Sequence, residues 1–369
     1  MKKILHIQVL PKMAGVQRVS YHILKSLSKD EYEKHILFSS DMDDENKTHC
    51  KRLFEEIGCK VIFLDSLKRS IGFHDIKAIK DIYKLCKREK YDIVHTNSTK
   101  PGIVGRIGAK LAGVPYIIHT VHGLSFHNFI GFPKWHFYWM CEMFSSMFCD
   151  KIAIVNSYYS KYFKAFQKKI ITVYNGIEFP SVEPKKDIET EDKIKILFVG
   201  RLSAQKDPIT MLNAFSLATK KNSNLVLTIV GDGECYEDCR KLVEEHQIQD
   251  KVRFEGWQSE VDKYYKTHDI FITTSIYEAF GLVFLDAGYY KLPTVATNVE
   301  GIPEVIEDGI TGLLSNPKDI FSISETILKL ANDKTLRLTF GENAHARVVE
   351  NFNVVKMIDA YNRLYKEIP

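Results

Sequence analysis

Thirteen short apolar runs, most of them followed by a stretch with helical spacing, leave this chain few ways to fold. They span about residues 4–9, 35–38, 61–64, 93–96, 116–120, 151–155 and 170–173, then 195–199, 225–230, 252–254, 270–273, 294–296 and 312–314. Runs of this kind that are continuously apolar mark strands buried on both faces, which implies parallel sheets covered by helices. With 369 residues the chain exceeds one ordinary core, so two such domains are expected.

Between the two series, Glu178-Phe179-Pro180-Ser181-Val182-Glu183-Pro184, continuing to Lys193, is charged, proline-bearing and without periodicity. It reads as a linker. The expected division is 1–178, a linker at 179–193, 194–352, and a last helix at 353–369. Each domain is expected to be Rossmann-like, with ligands outside the carboxyl ends of its strands.

The richest stretch is Ser275-Ile276-Tyr277-Glu278-Ala279-Phe280-Gly281-Leu282-Val283-Phe284-Leu285-Asp286. It follows the apolar run 270–273, and a helix pattern begins at Gly281. Glu278 therefore sits at a strand end and Asp286 about two turns into the helix. The free N–H groups of Gly281 and Leu282 at the helix start suit a phosphate. Arg201 and Lys206, in the loop after 195–199, add a guanidinium fork and a compact ammonium. Glycine at 200, like Gly15 in the first loop, lets backbone approach a ligand closely.

This stretch resembles the donor-binding signature of family 4 of the retaining glycosyltransferases, which have the GT-B fold. Gly200-Arg201-Leu202, Gln205-Lys206-Asp207, Val230-Gly231-Asp232-Gly233, Phe254-Glu255-Gly256-Trp257 and Asn175-Gly176-Ile177 also match that family. His95-Thr96-Asn97-Ser98 and His119-Thr120-Val121-His122-Gly123 are similar to its capsule and O-antigen branch. The resemblance implies two Rossmann-like domains facing across a cleft, with the acceptor on the first and a nucleotide-sugar on the second. It implies that Arg201 and Lys206 grip the donor diphosphate, that Glu278 and His122 act at the transferred sugar, and that Asp286 holds the ribose. The family has Glu where Asp286 stands and two adjacent glycines where Ala14-Gly15 stand. It also implies that the last helix packs back on the first domain.

Other readings of the same residues stay open. Glu278 could cap the helix beside it, Asp286 could be a plain helix-surface acid, and His119 and His122 could be structural. Asp41-Met42-Asp43-Asp44 mimics a metal-binding acidic triplet but lacks a flanking apolar strand, so it reads as a solvated loop. Neither a metal nor any other cofactor is expected; the nucleotide-sugar, most simply UDP-linked, is a substrate. Seven scattered cysteines without a zinc-like spacing point to reduced thiols in a cytoplasm.

Charge divides unevenly: residues 1–180 hold 28 Lys/Arg against 17 Asp/Glu, while the remainder holds 23 against 30. The basic half suggests an anionic membrane surface or a phosphate-linked glycan acceptor, with no nucleic acid as partner. No run approaches the roughly 18 apolar residues of a membrane span. Nine aromatics between Phe126 and Phe148 (Phe126, Phe129, Phe132, Trp135, Phe137, Tyr138, Trp139, Phe144 and Phe148) exceed what one helix face buries, so core packing and lipid contact both remain readings. The function implied is transfer of a sugar, resembling N-acetylfucosamine transfer, to a polyprenyl-diphosphate-linked glycan at the inner membrane face. A nucleotide-sugar 2-epimerase and a non-catalytic nucleotide-sugar-binding subunit are the alternatives. The presence of Arg201, Lys206, His122 and Glu278 together disfavours the second.

Overall fold

The computed structural model describes residues 1–127, 129–179 and 193–368. The chain forms two compact units, Met1–Asn175 with Val354–Pro369, and Gly176–Asn353. The expected linker lies largely outside the described residues.

In the first unit, strands β1 (Lys2–Ile7), β2 (Tyr32–Ser39), β3 (Cys59–Leu64), β4 (Ile93–Asn97), β5 (Tyr116–Val121), β6 (Lys151–Ile154) and β7 (Ile170–Thr172) form one sheet. Their order is β3-β2-β1-β4-β5-β6-β7, with every pairing parallel. Helices α1 (Gly15–Ser26), α2 (Asp44–Glu56), α3 (His74–Glu89), α4 (Thr99–Leu111) and α5 (Lys134–Ser146) make the crossovers, and a 3-10 segment, Ser157–Lys169, joins β6 to β7.

The second unit repeats the plan. Strands β8 (Ile194–Val199), β9 (Leu225–Val230), β10 (Val252–Gly256), β11 (Ile270–Ile272), β12 (Thr294–Thr297) and β13 (Gly312–Ser315) pair in parallel in the order β10-β9-β8-β11-β12-β13. Its helices are α6 (Pro208–Lys221), α7 (Tyr236–Glu245), α8 (Asp262–Thr267), α9 (Leu282–Tyr289), α10 (Ile302–Val305), α11 (Ile320–Asn332) and α12 (Lys334–Asn351). The last helix, α13 (Val354–Lys366), belongs to the first unit, where Met357, Tyr361, Leu364 and Tyr365 join the core around Ile4, Val19, Ile23 and Ile118.

Each strand order reverses once, between β1 and β4 and between β8 and β11. Crossovers leave in opposite directions at such a point and open a crevice at the strands' carboxyl ends. The loops following those four strands are therefore where a ligand is expected.

The acidic run near Asp41 is exposed, as expected of a solvated loop, and runs into the start of α2 at Asp44. Asp43 caps α2, accepting from the Asn46 N–H at 2.8 Å, and Asp44 pairs with Lys47 at 2.7 Å. That accounts for the Asp43 and Asp44 carboxylates locally, as helix-start chemistry. These hydrogen bonds also hold the Asp43 carboxyl below its ordinary pKa.

Candidate active site

The second unit builds a charged cluster from three loops. After β8 the chain runs through Gly200, Arg201 and Leu202 to Lys206 and Asp207. It is pinned to the β9–α7 loop by three backbone bonds: Gly200 N–H to Val230 O and Leu202 N–H to Asp232 O, both at 3.0 Å, and Cys235 N–H to Leu202 O at 2.9 Å. This contact explains two glycines. Gly231 and Gly233 have φ of 138° and 159°, and a Cβ there would fall 1.9 Å from Gly200 O and 2.3 Å from Leu202 O. The Gly231-Asp232-Gly233 turn thus supports the Arg201 loop from behind.

On its other side the same loop is strapped to the end of β11. The Thr274 hydroxyl donates to the carbonyls of Lys206 and Asp207, at 3.2 and 2.8 Å. Ile276 N–H donates to Gln205 O at 2.9 Å, and Gln205 Nε2 donates to Tyr277 O at 3.0 Å. Asp207 adopts a left-handed conformation (φ 49°, ψ 54°), turning the chain sharply into α6. These straps bring Lys206 Nζ into direct contact with Glu278 Oε2. Both side chains are mostly covered, so their attraction is less screened than that of a surface pair. From the sequence, Lys206 and Glu278 had separate partners; here each is the other's.

Gly281, with φ 78°, turns the chain into α9, and a Cβ there would lie 2.5 Å from the Phe284 ring. Gly281 is therefore the cap, and the helix starts at Leu282. Among the described residues, the N–H groups of Leu282 and Val283 donate to nothing. Asp286, half-buried, is the fifth residue of the helix, one turn in rather than two, because residues 279–281 are spent on the turn. Arg201 is exposed and makes no ion pair or hydrogen bond among the described residues. Gly301 N–H donates to Glu278 O at 3.1 Å, which fixes the backbone at the acid from the β12–α10 loop.

The first unit contributes differently. β4 and β5 are neighbours in register, Asn97 opposite Thr120, and so carry Asn97 and His122 to the same end of the sheet. His122 Nε2 lies 3.0 Å from Asn97 Oδ1. A carboxamide oxygen only accepts, so Nε2 carries the proton and Nδ1 keeps a lone pair. Loss of hydration pushes the His122 pKa down to about 3, which makes the ring a neutral group at physiological pH. Beside it, Ser98 has φ 66° and ψ 167°, a backbone conformation that costs a residue with a side chain about 1–3 kcal/mol. Gly15 opens α1 in the exposed loop after β1, with Gln17 Nε2 tied back to Leu10 O at 2.9 Å.

His119 faces the other way. It is buried, 3.0 Å from Thr96 Oγ1 and 3.6 Å from Glu142, whose carboxylate also pairs with the buried Arg106 at 2.7 Å. His119 thus lies inside β5 with its ring enclosed, whereas His122 follows the strand's end. His119 is structural.

Sequence reasoning missed a second buried polar layer in this unit. His6 Nε2 and His95 Nδ1 lie 2.9 and 2.6 Å from the Tyr365 hydroxyl. His95 Nε2 meets Thr120 Oγ1 at 2.7 Å, and Thr120 meets the Tyr361 hydroxyl at 3.1 Å. These bonds tie α13 to β1, β4 and β5. The available signal was a pair of histidines, His6 and His95, inside otherwise apolar strands.

Among the described residues, one set of carboxylate and imidazole atoms converges as metal ligands do: Glu33, His35 and Glu89. Lys3 Nζ already occupies it, 3.0 Å from Glu33 and 3.1 Å from Glu89. It lies on β2 and α3, away from the residues above.

Residues 13–179 match the family model described as Glycosyltransferase Family 4, and residues 181–347 match Glycosyl transferases group 1. The chain belongs to glycosyltransferase family 4. It is 29% identical over 387 residues to UDP-Gal:alpha-D-GlcNAc-diphosphoundecaprenol alpha-1,3-galactosyltransferase of Escherichia coli, covering 98% of this chain and 96% of that protein. It is 27% identical over 388 residues to the capsular polysaccharide biosynthesis glycosyltransferase CapM of Staphylococcus aureus, covering 99% and 98%. Among solved structures, Anabaena Alr3699/HepE in complex with UDP-glucose superposes with a TM-score of 0.81 at 18% identity, covering 99% of this chain and all of that one. The fold is GT-B.

Proposed function

We propose that this glycosyltransferase moves a sugar from a UDP-linked donor to a polyprenyl-diphosphate-linked glycan in surface-polysaccharide synthesis, with retention at the anomeric carbon. The observation that carries the reading is the Lys206–Glu278 pair, held at the reversal point of the second sheet beside the open N–H groups of α9. Lys206, Arg201 and those N–H groups bind the diphosphate, with Gly200 allowing close approach. Glu278 accepts hydrogen bonds from the sugar and faces the positive charge that develops at its anomeric carbon. Asp286 accepts from the ribose. The first unit binds the acceptor, and His122, neutral, hydrogen-bonds the transferred sugar.

In the transfer step the bond from the anomeric carbon to the diphosphate oxygen breaks as a bond to the acceptor oxygen forms on the same face. The acceptor's proton passes to the departing phosphate oxygen, so no side chain need act as nucleophile. Negative charge on that oxygen is met by Arg201, Lys206 and the α9 N–H groups, which perform the work a metal ion would otherwise do. The donor and lipid-linked acceptor are supported by the names of the relatives, a galactosyltransferase acting on a diphosphoundecaprenol-linked sugar and a capsular polysaccharide enzyme. An acceptor of that kind places the enzyme at the cytoplasmic face of the membrane. Among the described residues, no helix is long and apolar enough to cross it.

The test is release of nucleoside diphosphate from a panel of nucleotide-sugars, with and without a detergent-dispersed polyprenyl-diphosphate glycan. Release should require the acceptor, persist in excess chelator, and yield a product with the donor's anomeric configuration. Interconversion of donors without an acceptor would identify an epimerase instead. Loss of transfer on chelation, restored by a divalent ion, would overturn the metal-independent part.

A further inference from the structure

Helix α5 is built inside out. Its inward residues are polar: Glu142, Ser145 and Ser146 are buried, and all three bond to Arg106 of α4 at 2.7–3.2 Å. Its outward residues are apolar. Phe137, Met140, Phe144 and, at the helix end, Met147 are 48, 56, 53 and 52% exposed. Their spacing of three, four and three places them within one arc of about 80° on a helix turning 100° per residue. A helix on a water-facing surface normally has the opposite arrangement. Phe132, just before it, is more exposed still, whereas Trp135 and Trp139 are half-buried toward the inward side, Trp135 against the buried Phe126.

The surface neighbouring this helix is cationic. The 3-10 segment Ser157–Lys169 packs against the inward side and the end of α5: Tyr162 meets Trp135 at 6.4 Å, and Lys169 Nζ bonds the carbonyls of Ser146 and Cys149 at 3.2 and 2.6 Å. Lys134, Lys161, Lys164 and Lys168 are exposed there. The acids between residues 129 and 169 are two. Glu142 is buried on Arg106, and Asp150 accepts from the Ile117 N–H at 2.8 Å. An exposed apolar stripe with exposed lysines on the neighbouring segment and no outward acids is complementary to an anionic bilayer.

We infer that α5 is the membrane-seating element: Phe137, Met140, Phe144 and Met147 enter the acyl boundary of an anionic leaflet while Lys134, Lys161, Lys164 and Lys168 meet its headgroups. This rests on the membrane-face reading above and assigns it to one helix. It also gives the Arg106–Glu142 pair a purpose, since a buried charge pair holds the helix with its apolar side outward.

Flotation with mixed phosphatidylcholine–phosphatidylglycerol vesicles containing no acceptor tests it. The unaltered chain should float with them, less so as salt rises, and weakly with phosphatidylcholine alone. The double variant Phe137→Ser, Phe144→Ser should lose about tenfold or more in partitioning, because burial of two aromatic side chains is removed. Phe73→Ser, at a 94% exposed aromatic before α3, should float as before. Unchanged nucleotide affinity would show that the double variant is folded. Equal flotation of the double variant and the unaltered chain would overturn the assignment, as would no flotation by either. So would self-association without lipid that the double variant abolishes, since the stripe would then cover protein. Transfer to the detergent-dispersed acceptor is measured separately. Its survival in a chain that does not float would cost this inference alone, and its absence in a chain that floats would cost only the transfer reading.

Discussion

The two units share one sheet plan and fill it with different chemistry. Met1–Asn175 with Val354–Pro369 holds 31 Lys/Arg against 18 Asp/Glu, whereas Gly176–Asn353 holds 20 against 29. The first buries a polar layer of His6, His95, Thr120, Tyr361 and Tyr365 under α13, and a second around Arg106, His119 and Glu142. The second packs its sheet with aliphatic and aromatic side chains such as Ile196, Phe198, Leu227 and Ile270, and keeps its paired charges Lys206 and Glu278 at the strand ends. Apolar burial is tolerant of small shifts, while a hydrogen-bonded layer holds only in one register. The first unit therefore places α13 and α5 by specific bonds, and the second places its loops by backbone straps.

The largest expected effect of this difference is on acid stability. His6, His95 and His119 are buried, and loss of hydration drives their pKa values down, that of His6 to about 3 and the others well below the ordinary value. Above about pH 6.5 these groups are neutral whether folded or not and contribute no pH dependence. Below it the unfolded chain takes up protons that the folded chain refuses, so stability falls with pH, down to about 3 for His6. Three such groups give a limiting slope of about 4 kcal/mol per pH unit. Amide exchange followed from pH 7 to 4.5 should show the first unit losing protection before the second, where His268 is the histidine with a lowered pKa among the described residues. Parallel loss in both units would break the comparison.

Next in size is the charged pair of the second unit. Lys206→Ala removes the positive group proposed to meet the leaving phosphate and should lower kcat/KM by about a hundredfold, or about 3 kcal/mol. It also leaves Glu278 without its partner. Because the two side chains touch, the loss in Lys206→Ala with Glu278→Gln should be clearly smaller than the sum of the single losses. Steady-state kinetics of the three variants decides this, and additive losses would mean that the pair separates before transfer.

Much of this was legible in the sequence, for a physical reason. Parallel strands covered on both sides need continuous apolar runs, so all thirteen strands lie within three residues of the runs that announce them. Residues placed at strand ends, Arg201, Lys206, Glu278 and His122, follow from those boundaries. Pairing at a distance does not. Lys206 and Glu278 are 72 residues apart, and His6 and Tyr365 are 359 apart, so neither contact leaves a local pattern. The aromatic run from Phe126 to Phe148 was ambiguous because composition carries no orientation. The fold divides it, burying Phe126 and exposing Phe132, Phe137 and Phe144. What reveals that outward turn is the buried Arg106–Glu142 pair behind it, made by residues 36 apart.

The smallest expected effect sharpens the comparison most, because it asks whether nucleotide binding belongs to the second unit alone. Asp286 stands one turn into α9, in the helix whose first N–H groups are open. If its carboxylate accepts from the ribose, Asp286→Asn replaces a charge-assisted hydrogen bond with a neutral one of the same shape. The dissociation constant for the bare nucleoside diphosphate should then rise about tenfold, or about 1.4 kcal/mol. Asp286→Glu lengthens the side chain by one methylene to the residue usual in the family, and should bind as well or better. Glu278→Gln should keep nucleotide affinity while losing turnover, since the contact proposed for it is with the sugar. His122→Ala, in the first unit, should also leave the nucleotide alone. Calorimetric titration of nucleotide into the four variants separates these outcomes. Normal binding by Asp286→Asn together with loss of binding in Glu278→Gln would reverse the two acids' roles. A tenfold loss in His122→Ala would show that the first unit shares in holding the nucleotide.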